Sequence, residues 1–393
     1  MNNKGENLIN EFISFAKSMF GNEYIPLHRP IFEGNEKEYL NECIDSNFVS
    51  SVGKRVDEFE NKIASFTGSK HAVATVNGTA ALHIAIELAG VKPGDEVISQ
   101  SLTFIATCNA ISYVGARPIF VDVDLDTMGL SPLALKKFLE ENAVKKPNGC
   151  FNKHTNKKIS ACIPMHTFGL PCRINEISSI CYEWGIVLIE DAAESLGSYV
   201  GKKHTGTFAK MGTLSFNGNK VITTGGGGMI ITDDSKLAKR AKHITTTAKV
   251  SHMYEFVHDG IGYNYRLPNI NAALGCAQME HLDEFLNIKN ELANKWERFF
   301  SERGVNFVKA IGGRKANHWL NAIILDSRQE RDEFLKYTNA GNVMTRPVWT
   351  LMSKLSMFKD CQTDGLKNSI WLEDRVVNIP SSVPNGSIKK IKK

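Results

Sequence analysis

Apolar residues along this chain switch repeatedly between two spacings. From about residue 55 to 250, short β-rich runs alternate with stretches whose apolar residues recur every three or four positions. That alternation predicts strands and helices building a doubly covered, mostly parallel sheet. The first helix is predicted over 56–66 and the first strand over 71–76; the turn Asn77-Gly78-Thr79 then leads into a helix over 80–90 that stops on glycine. Further strands are predicted at 95–99, 118–123, 159–165, 186–189, 212–216 and 229–232, and further helices at 103–114 and 175–184. Ser131 caps another helix that opens with Pro132, since the first helical position needs no amide hydrogen.

Three segments depart from this rhythm. Near the N-terminus, Leu8, Ile9, Phe12, Ile13 and Ala16 are spaced as in an amphipathic helix, and Glu6, Glu11 and Lys17 interrupt any continuous apolar run. A helix docked on its own domain or on a partner subunit is expected there, not a secretory signal. The stretch 145–158 is polar and basic and contains Pro147 and Gly149, so a surface insertion is expected. Beyond Pro268 a long helical region, 269–302, precedes mixed pieces at 318–325, 331–338 and 376–380. The expected organisation is an N-terminal helical arm and entry segment (1–54), a large α/β domain (55–268), and a long helix with a small C-terminal α/β domain (269–393).

Composition narrows the class. The 393 residues are 42% hydrophobic, as in a globular protein, and no segment approaches transmembrane length. The net charge of +5 owes part of its excess to the tail Lys389-Lys390-Ile391-Lys392-Lys393. A terminal charge run is ordinarily solvated, so no nucleic-acid partner and no membrane insertion are expected. Eight cysteines form no Cys-x-x-Cys pair, which excludes a zinc site or a disulfide framework and points to buried thiols in a reducing cytoplasm.

The chemistry concentrates around Lys220. It closes Ser215-Phe216-Asn217-Gly218-Asn219-Lys220, and the glycine run Gly225 to Gly228 follows. That run lacks the spacing of a P-loop. Upstream, the apolar stretch Ile186-Val187-Leu188-Ile189 runs into Glu190-Asp191, a buried strand delivering an acid to its end. Burying Asp191 unpaired would be costly, so it needs a cation: an Arg or Lys of the fold, or a protonated ring nitrogen. Asn77-Gly78-Thr79 offers free amides at a helix start, suited to a phosphate or simply to a cap. A Schiff-base amine, an acid for a pyridine nitrogen and a phosphate cradle are together what pyridoxal phosphate requires. Ser215 is placed to reach the same phosphate. Phe104 is placed either to cover a flat ring or to fill core, and His166 either to join the site or to be a hydrogen-bonded structural residue.

Six motifs in order then resemble the DegT/StrS family of pyridoxal phosphate-dependent sugar aminotransferases, over about 25–380. They are Phe48-Val49-Ser50-Ser51-Val52-Gly53 with Phe59-Glu60, Asn77-Gly78-Thr79-Ala80-Ala81-Leu82, Pro93-Gly94-Asp95-Glu96-Val97, Glu190-Asp191-Ala192-Ala193, Ser215-Phe216 to Lys220, and Gly262-Tyr263-Asn264-Tyr265-Arg266-Leu267. The resemblance implies fold type I, the aspartate aminotransferase-like α/β fold with a large, mostly parallel sheet domain and a smaller C-terminal α/β domain. It implies that Lys220 bonds to the cofactor and shuttles the proton. Asp191 would pair with the pyridine nitrogen, Gly78, Thr79 and Ser215 would hold the phosphate, Phe104 would stack on the ring, and Glu194 would lie near the ring hydroxyl. Asn264 would reach the phosphate of a second subunit's cofactor, implying a homodimer with shared sites. Many members carry Gln or His at the position of Glu194 and Glu at that of Gly226.

The wording Asp191-Ala192-Ala193-Glu194-Ser195-Leu196-Gly197-Ser198, Thr223-Thr224-Gly225-Gly226-Gly227-Gly228 and Thr345-Arg346-Pro347-Val348-Trp349 resembles a narrower branch, that of the legionaminic acid and related (bacillosamine-type) pathways. The implied reaction moves an amino group from glutamate to the 4-keto carbon of a UDP-linked 4-keto-6-deoxy-N-acetylhexosamine. The alternatives are a GDP- or dTDP-linked keto sugar, as for perosamine, and a non-catalytic sensor on the same fold. Dehydratases on this fold replace the lysine by histidine, so Lys220 argues against that activity.

Overall fold

The computed structural model describes residues 3–388, so the basic tail 389–393 lies outside the described residues. A seven-stranded sheet forms its centre: β1 (His71–Thr75), β2 (Glu96–Gln100), β3 (Arg117–Val121), β4 (Ile159–Ile163), β5 (Val187–Asp191), β6 (Met211–Ser215) and β7 (Gly228–Thr232). Their spatial order is β1-β7-β6-β5-β4-β2-β3. The five strands from β6 to β3 run parallel, and β7 is antiparallel to both β6 and β1. The expected mostly parallel sheet is therefore present. Burial of almost every strand residue explains why these segments read as apolar runs instead of alternating ones.

β1 and β6 flank the same antiparallel neighbour, so they point the same way. The C-terminal ends of β1, β2, β4, β5 and β6 thus gather on one edge of the sheet, where loops and helix starts converge and ligands of open α/β sheets bind. One such start is the helix Gly78–Leu88, capped by the Asn77 side chain, which accepts the Ala80 amide at 2.8 Å.

The long helical region breaks at His281 into Asn269–Glu280 and Leu282–Ser301. The second of these buries Trp296, Phe299 and Phe300. The helix Asn3–Phe20 lays Ile9, Phe12 and Ala16 into the same cluster, with Phe12 5.2 Å from the Trp296 ring. The amphipathic spacing is thereby satisfied within the chain. Strands Asn306–Phe307, Asn321–Ile324, Val376–Ile379 and Arg346–Pro347 form a separate four-stranded sheet in that order.

The segment expected as a surface insertion is more structured than that. Ala143–Lys146 and Gly149–Asn152 pair as an antiparallel hairpin. Asn152 is buried, and its Nδ2 donates to Glu96 Oε2 at 2.8 Å and Gln362 Oε1 at 2.6 Å. A buried amide needs such partners, and they key the hairpin to the start of β2, a contact that the polar local composition does not reveal. All eight cysteines are buried and free. No helix among the described residues is long and apolar enough to cross a membrane.

Candidate active site

Lys220 is held at the tip of a closed loop. β6 ends at Ser215, and the Phe216 carbonyl then accepts the Thr224 amide at 3.0 Å and the Thr223 hydroxyl at 3.1 Å, tying the loop at its base. The Lys220 amide donates to the Asn217 carbonyl at 3.0 Å. Its side chain is only 13% exposed, and Nζ lies 3.4 Å from Glu194 Oε1 and 3.7 Å from the centroid of the Trp319 indole. A lysine so enclosed is not a surface lysine.

Glu194 follows the end of β5 by three residues. Its other oxygen accepts the Phe168 amide at 2.9 Å. Phe168 has φ of 58°, the left-handed region, an uncommon conformation for a bulky residue and one that recurs at functional sites. Burial pushes the Glu194 carboxyl up to about 7, against the opposing pull of the Lys220 charge and the Phe168 amide.

Asp191 ends β5 itself. Oδ2 accepts the Thr107 hydroxyl at 2.7 Å and Oδ1 the Ala193 amide at 3.2 Å. Burial raises its carboxyl above the ordinary range, and the Thr107 hydroxyl, the Ala193 amide and the Lys220 charge counter that rise. No cation among the described residues lies within ion-pair distance of it. A buried carboxylate with two neutral donors and no cation has the chemistry to receive a protonated ring nitrogen, so the site fits pyridoxal phosphate at this end.

It fits the phosphate as well. Asn77 takes the Ala80 and Ala81 amides with its side chain and carbonyl, leaving the Gly78 and Thr79 amides without an acceptor among the described residues. Such orphan amides at a helix start attract anions. Ser215 lies opposite: a Cβ on Gly78 would come 2.9 Å from the Ser215 Cβ and 3.2 Å from its Oγ. The approach is closed from below by Gly228, where a Cβ would meet the Asn77 carbonyl oxygen at 2.4 Å. β7 registers Gly228 between Thr75 of β1 and Ser215 of β6.

Phe104 precedes the helix Ile105–Tyr113 that carries Thr107, and it is 47% exposed. Asn264 stands apart from this group: it is exposed, and its Oδ1 accepts from Arg266 at 3.2 Å. Its neighbour Tyr265 accepts the Val76 amide at 2.8 Å, at the end of β1. The two readings of His166 resolve toward structure. Nδ1 accepts the Cys172 amide at 3.2 Å, which leaves the ring proton on Nε2, 3.0 Å from Glu190 Oε2. That carboxylate also accepts the Gly206, Phe208 and Ala209 amides, a network buried behind Asp191.

Sequence reasoning missed Trp319, Asn317, Phe168 and Thr107. Trp319 Nε1 donates to the Asn219 carbonyl at 2.6 Å, and Asn317 Nδ2 donates to the Glu194 carbonyl at 2.8 Å. One short segment thus braces both Lys220 and Glu194. No periodicity or spacing marks these residues; the aromatic beside an asparagine in Asn317-His318-Trp319 was the only local cue.

The model of the DegT/DnrJ/EryC1/StrS aminotransferase family matches residues 30–387. The chain is 38% identical to GDP-perosamine synthase of Escherichia coli O157:H7 over 338 residues, covering 86% of this chain and 88% of that one. It is 37% identical to EpsN of Bacillus subtilis (strain 168), which carries the provisional name of a pyridoxal phosphate-dependent aminotransferase, over 85% of this chain and 84% of that one. The crystal structure of the aminotransferase TlmJ from Streptoalloteichus hindustanus superposes with a TM-score of 0.83 at 25% identity, covering 91% of this chain and 93% of that chain.

Proposed function

The chain belongs to the DegT/DnrJ/EryC1/StrS aminotransferase family of pyridoxal phosphate-dependent sugar aminotransferases, and from that premise we propose that it moves an amino group from glutamate to the 4-keto carbon of a UDP-linked 4-keto-6-deoxy-N-acetylhexosamine, for surface-glycan synthesis of the legionaminic acid or bacillosamine type. The observation that carries the chemistry is the meeting of Lys220, Glu194, Asp191, Ser215 and Gly78 on one sheet edge. The motif wording around Asp191, Gly225 and Trp349 supports the UDP-linked substrate. The identity to a GDP-perosamine synthase favours a second reading, in which the same carbon is aminated on a GDP-linked sugar.

When bound, pyridoxal phosphate supplies an electron-withdrawing ring beside the carbon that loses its proton. The residues of this chain do the rest. Ser215 and the Gly78 and Thr79 amides would hold the phosphate, and Asp191, fixed by Thr107, would keep the proton on the ring nitrogen. Lys220 would be the residue that bonds the cofactor at rest, and its freed amine would carry the proton from the donor carbon to the cofactor. Glu194, poised to hold or give up a proton near pH 7, would lie near the ring hydroxyl. Phe104 would cover one face of the ring. Glutamate leaves as 2-oxoglutarate before the keto sugar enters, a ping-pong order.

Asn264 reaches the phosphate of a second subunit, making the working unit a homodimer. Exposed Met253, Tyr254, Phe256 and Ile261 border the segment that bears Asn264, an apolar surface of the kind covered by a partner. Boundaries near 54 and 268 belong to the same proposal: the seven-stranded sheet falls within 71–232 and the four-stranded sheet within 306–379.

The test is mass spectrometry of the sugar nucleotides after incubation with pyridoxal phosphate, glutamate and either the UDP- or the GDP-linked 4-keto-6-deoxy sugar. Amination of the UDP-linked sugar supports the first reading and of the GDP-linked sugar alone the second. Turnover retained by Lys220→Ala would remove Lys220 from its role.

A further inference from the structure

Trp349 lies in Thr345-Arg346-Pro347-Val348-Trp349, a segment to which the chemistry at Lys220 assigns nothing. The segment is fixed at both ends. Val348 donates its amide to Val376 in the four-stranded sheet at 3.4 Å. Past the tryptophan, the Met352 amide donates to the Ser101 carbonyl at 3.0 Å and the Ser353 amide to the Ser101 hydroxyl at 3.1 Å. Ser101 leaves the end of β2 three residues before Phe104, so the C-terminal third of the chain is drawn across the edge where the strand ends gather.

There the Trp349 ring meets two aromatic neighbours, Phe104 at 6.1 Å edge to face and Phe168 at 5.1 Å. Both belong to the site. The Phe168 amide holds Glu194, and Phe104 opens the helix whose Thr107 holds Asp191. Trp349 is itself only partly buried. It therefore puts an apolar aromatic surface beside a set of charged groups.

The two reactants differ in what they offer such a surface. Glutamate brings two carboxylates, which an indole face repels through its negative quadrupole. A 6-deoxyhexose brings a face of C–H groups and a methyl, which an apolar wall accepts. In a nucleotide sugar the nucleobase is separated from the reacting carbon by the ribose and the diphosphate. We propose that Trp349 is a specificity-determining residue that receives the apolar face of the hexose in the sugar half-reaction and takes no part in the glutamate half-reaction. The proposal rests on the keto-sugar-nucleotide reading above.

The experiment uses the holoenzyme and inert probes. Titration calorimetry measures binding of UDP-N-acetylglucosamine and GDP-mannose against UDP and GDP alone, and stopped-flow absorbance follows loss of the cofactor's visible band on adding glutamate only. Trp349→Ala is expected to weaken binding of the nucleotide sugar roughly tenfold more than binding of the bare nucleotide. Trp349→Phe should recover most of that loss, and both variants should keep the glutamate rate within about twofold of wild type. If Trp349→Ala does not fold, Trp349→Leu, which fills the space without a ring, gives the same comparison. Equal loss for nucleotide and nucleotide sugar, or a slowed glutamate step in Trp349→Phe, overturns the proposal. Wild-type protein that binds neither probe removes the substrate reading and this proposal with it; wild-type binding that both variants retain removes the proposal alone.

Discussion

Glu194 Oε1 and Lys220 Nζ stand 3.4 Å apart, with side chains 2% and 13% exposed. The pair joins the end of β5 to the loop after β6, and it gives the apo protein a titrating acid beside its reactive amine. Burial is the larger influence on the acid, holding it protonated up to about 7.

The sign of the resulting pH dependence follows from linkage. In the unfolded chain Glu194 ionises near the ordinary glutamate value of 4.5, and in the folded chain near 7. Between those values the folded state binds the additional proton, so this group's contribution to stability falls as pH rises. The loss is at most about 3 kcal/mol. Urea denaturation of the apo protein at pH 5 and pH 8 should show Glu194→Gln gaining on wild type at the higher pH. A constant difference between the two proteins would contradict this.

Lys289 runs the other way. It is buried, no acid among the described residues pairs with it, and its Nζ donates to the Trp319 carbonyl at 3.3 Å and the Ser381 carbonyl at 2.5 Å. Burial pushes its amine down to about 7 from 10.5. The folded state then releases its proton before the unfolded state does, so its contribution to stability rises with pH from about 7 toward 10.5. Lys289→Met should flatten that rise, and its stability relative to wild type should be higher at pH 6 than at pH 9, by several kcal/mol in order of magnitude. Denaturation at the two values decides.

Thr107→Val removes the hydroxyl from Asp191 Oδ2 while keeping the volume nearly the same. Hydrogen bonds to charged groups contribute about 1.5–3 kcal/mol, and here the loss falls on the carboxylate proposed to pair with the ring nitrogen. Cofactor affinity, measured by titrating the apo protein at the visible band, should drop about tenfold or more. Ser215 and Gly78 are untouched, so phosphate alone should bind as before.

Gly228→Ala tests the floor of the phosphate cradle. The added Cβ would meet backbone, the Asn77 carbonyl oxygen at 2.4 Å and the Gly78 nitrogen at 2.7 Å, and backbone cannot step aside as a side-chain end can. Overpacking costs typically about 1–3 kcal/mol, and the turn that presents the Gly78 and Thr79 amides must shift. Lower thermal stability together with weaker cofactor retention on dialysis is expected. Gly218→Ala, where a Cβ meets nothing within 4 Å, is the control and should change neither.

Much of this was written locally. Apolar periodicity located the strands because a strand buried on both faces is mostly apolar, and it located the N-terminal helix because one stripe of it packs on Trp296. Lys220, Asp191, Ser215 and Gly78 were legible for a related reason: each sits at or just past the end of an element whose pattern ends there, and strand ends in a parallel sheet share one edge. Tertiary structure alone decided the rest. Trp319 reaches the Asn219 carbonyl across 100 residues and Thr107 reaches Asp191 across 84. Asn152 pairs with Glu96 and Gln362 out of a stretch that reads as exposed, and His166 turns to Glu190 and away from the cofactor end. Spacing along the chain encodes which face of an element is buried, because that depends on the repeat of one helix or strand. Which two buried faces meet depends on how whole elements pack, and no local repeat carries that information.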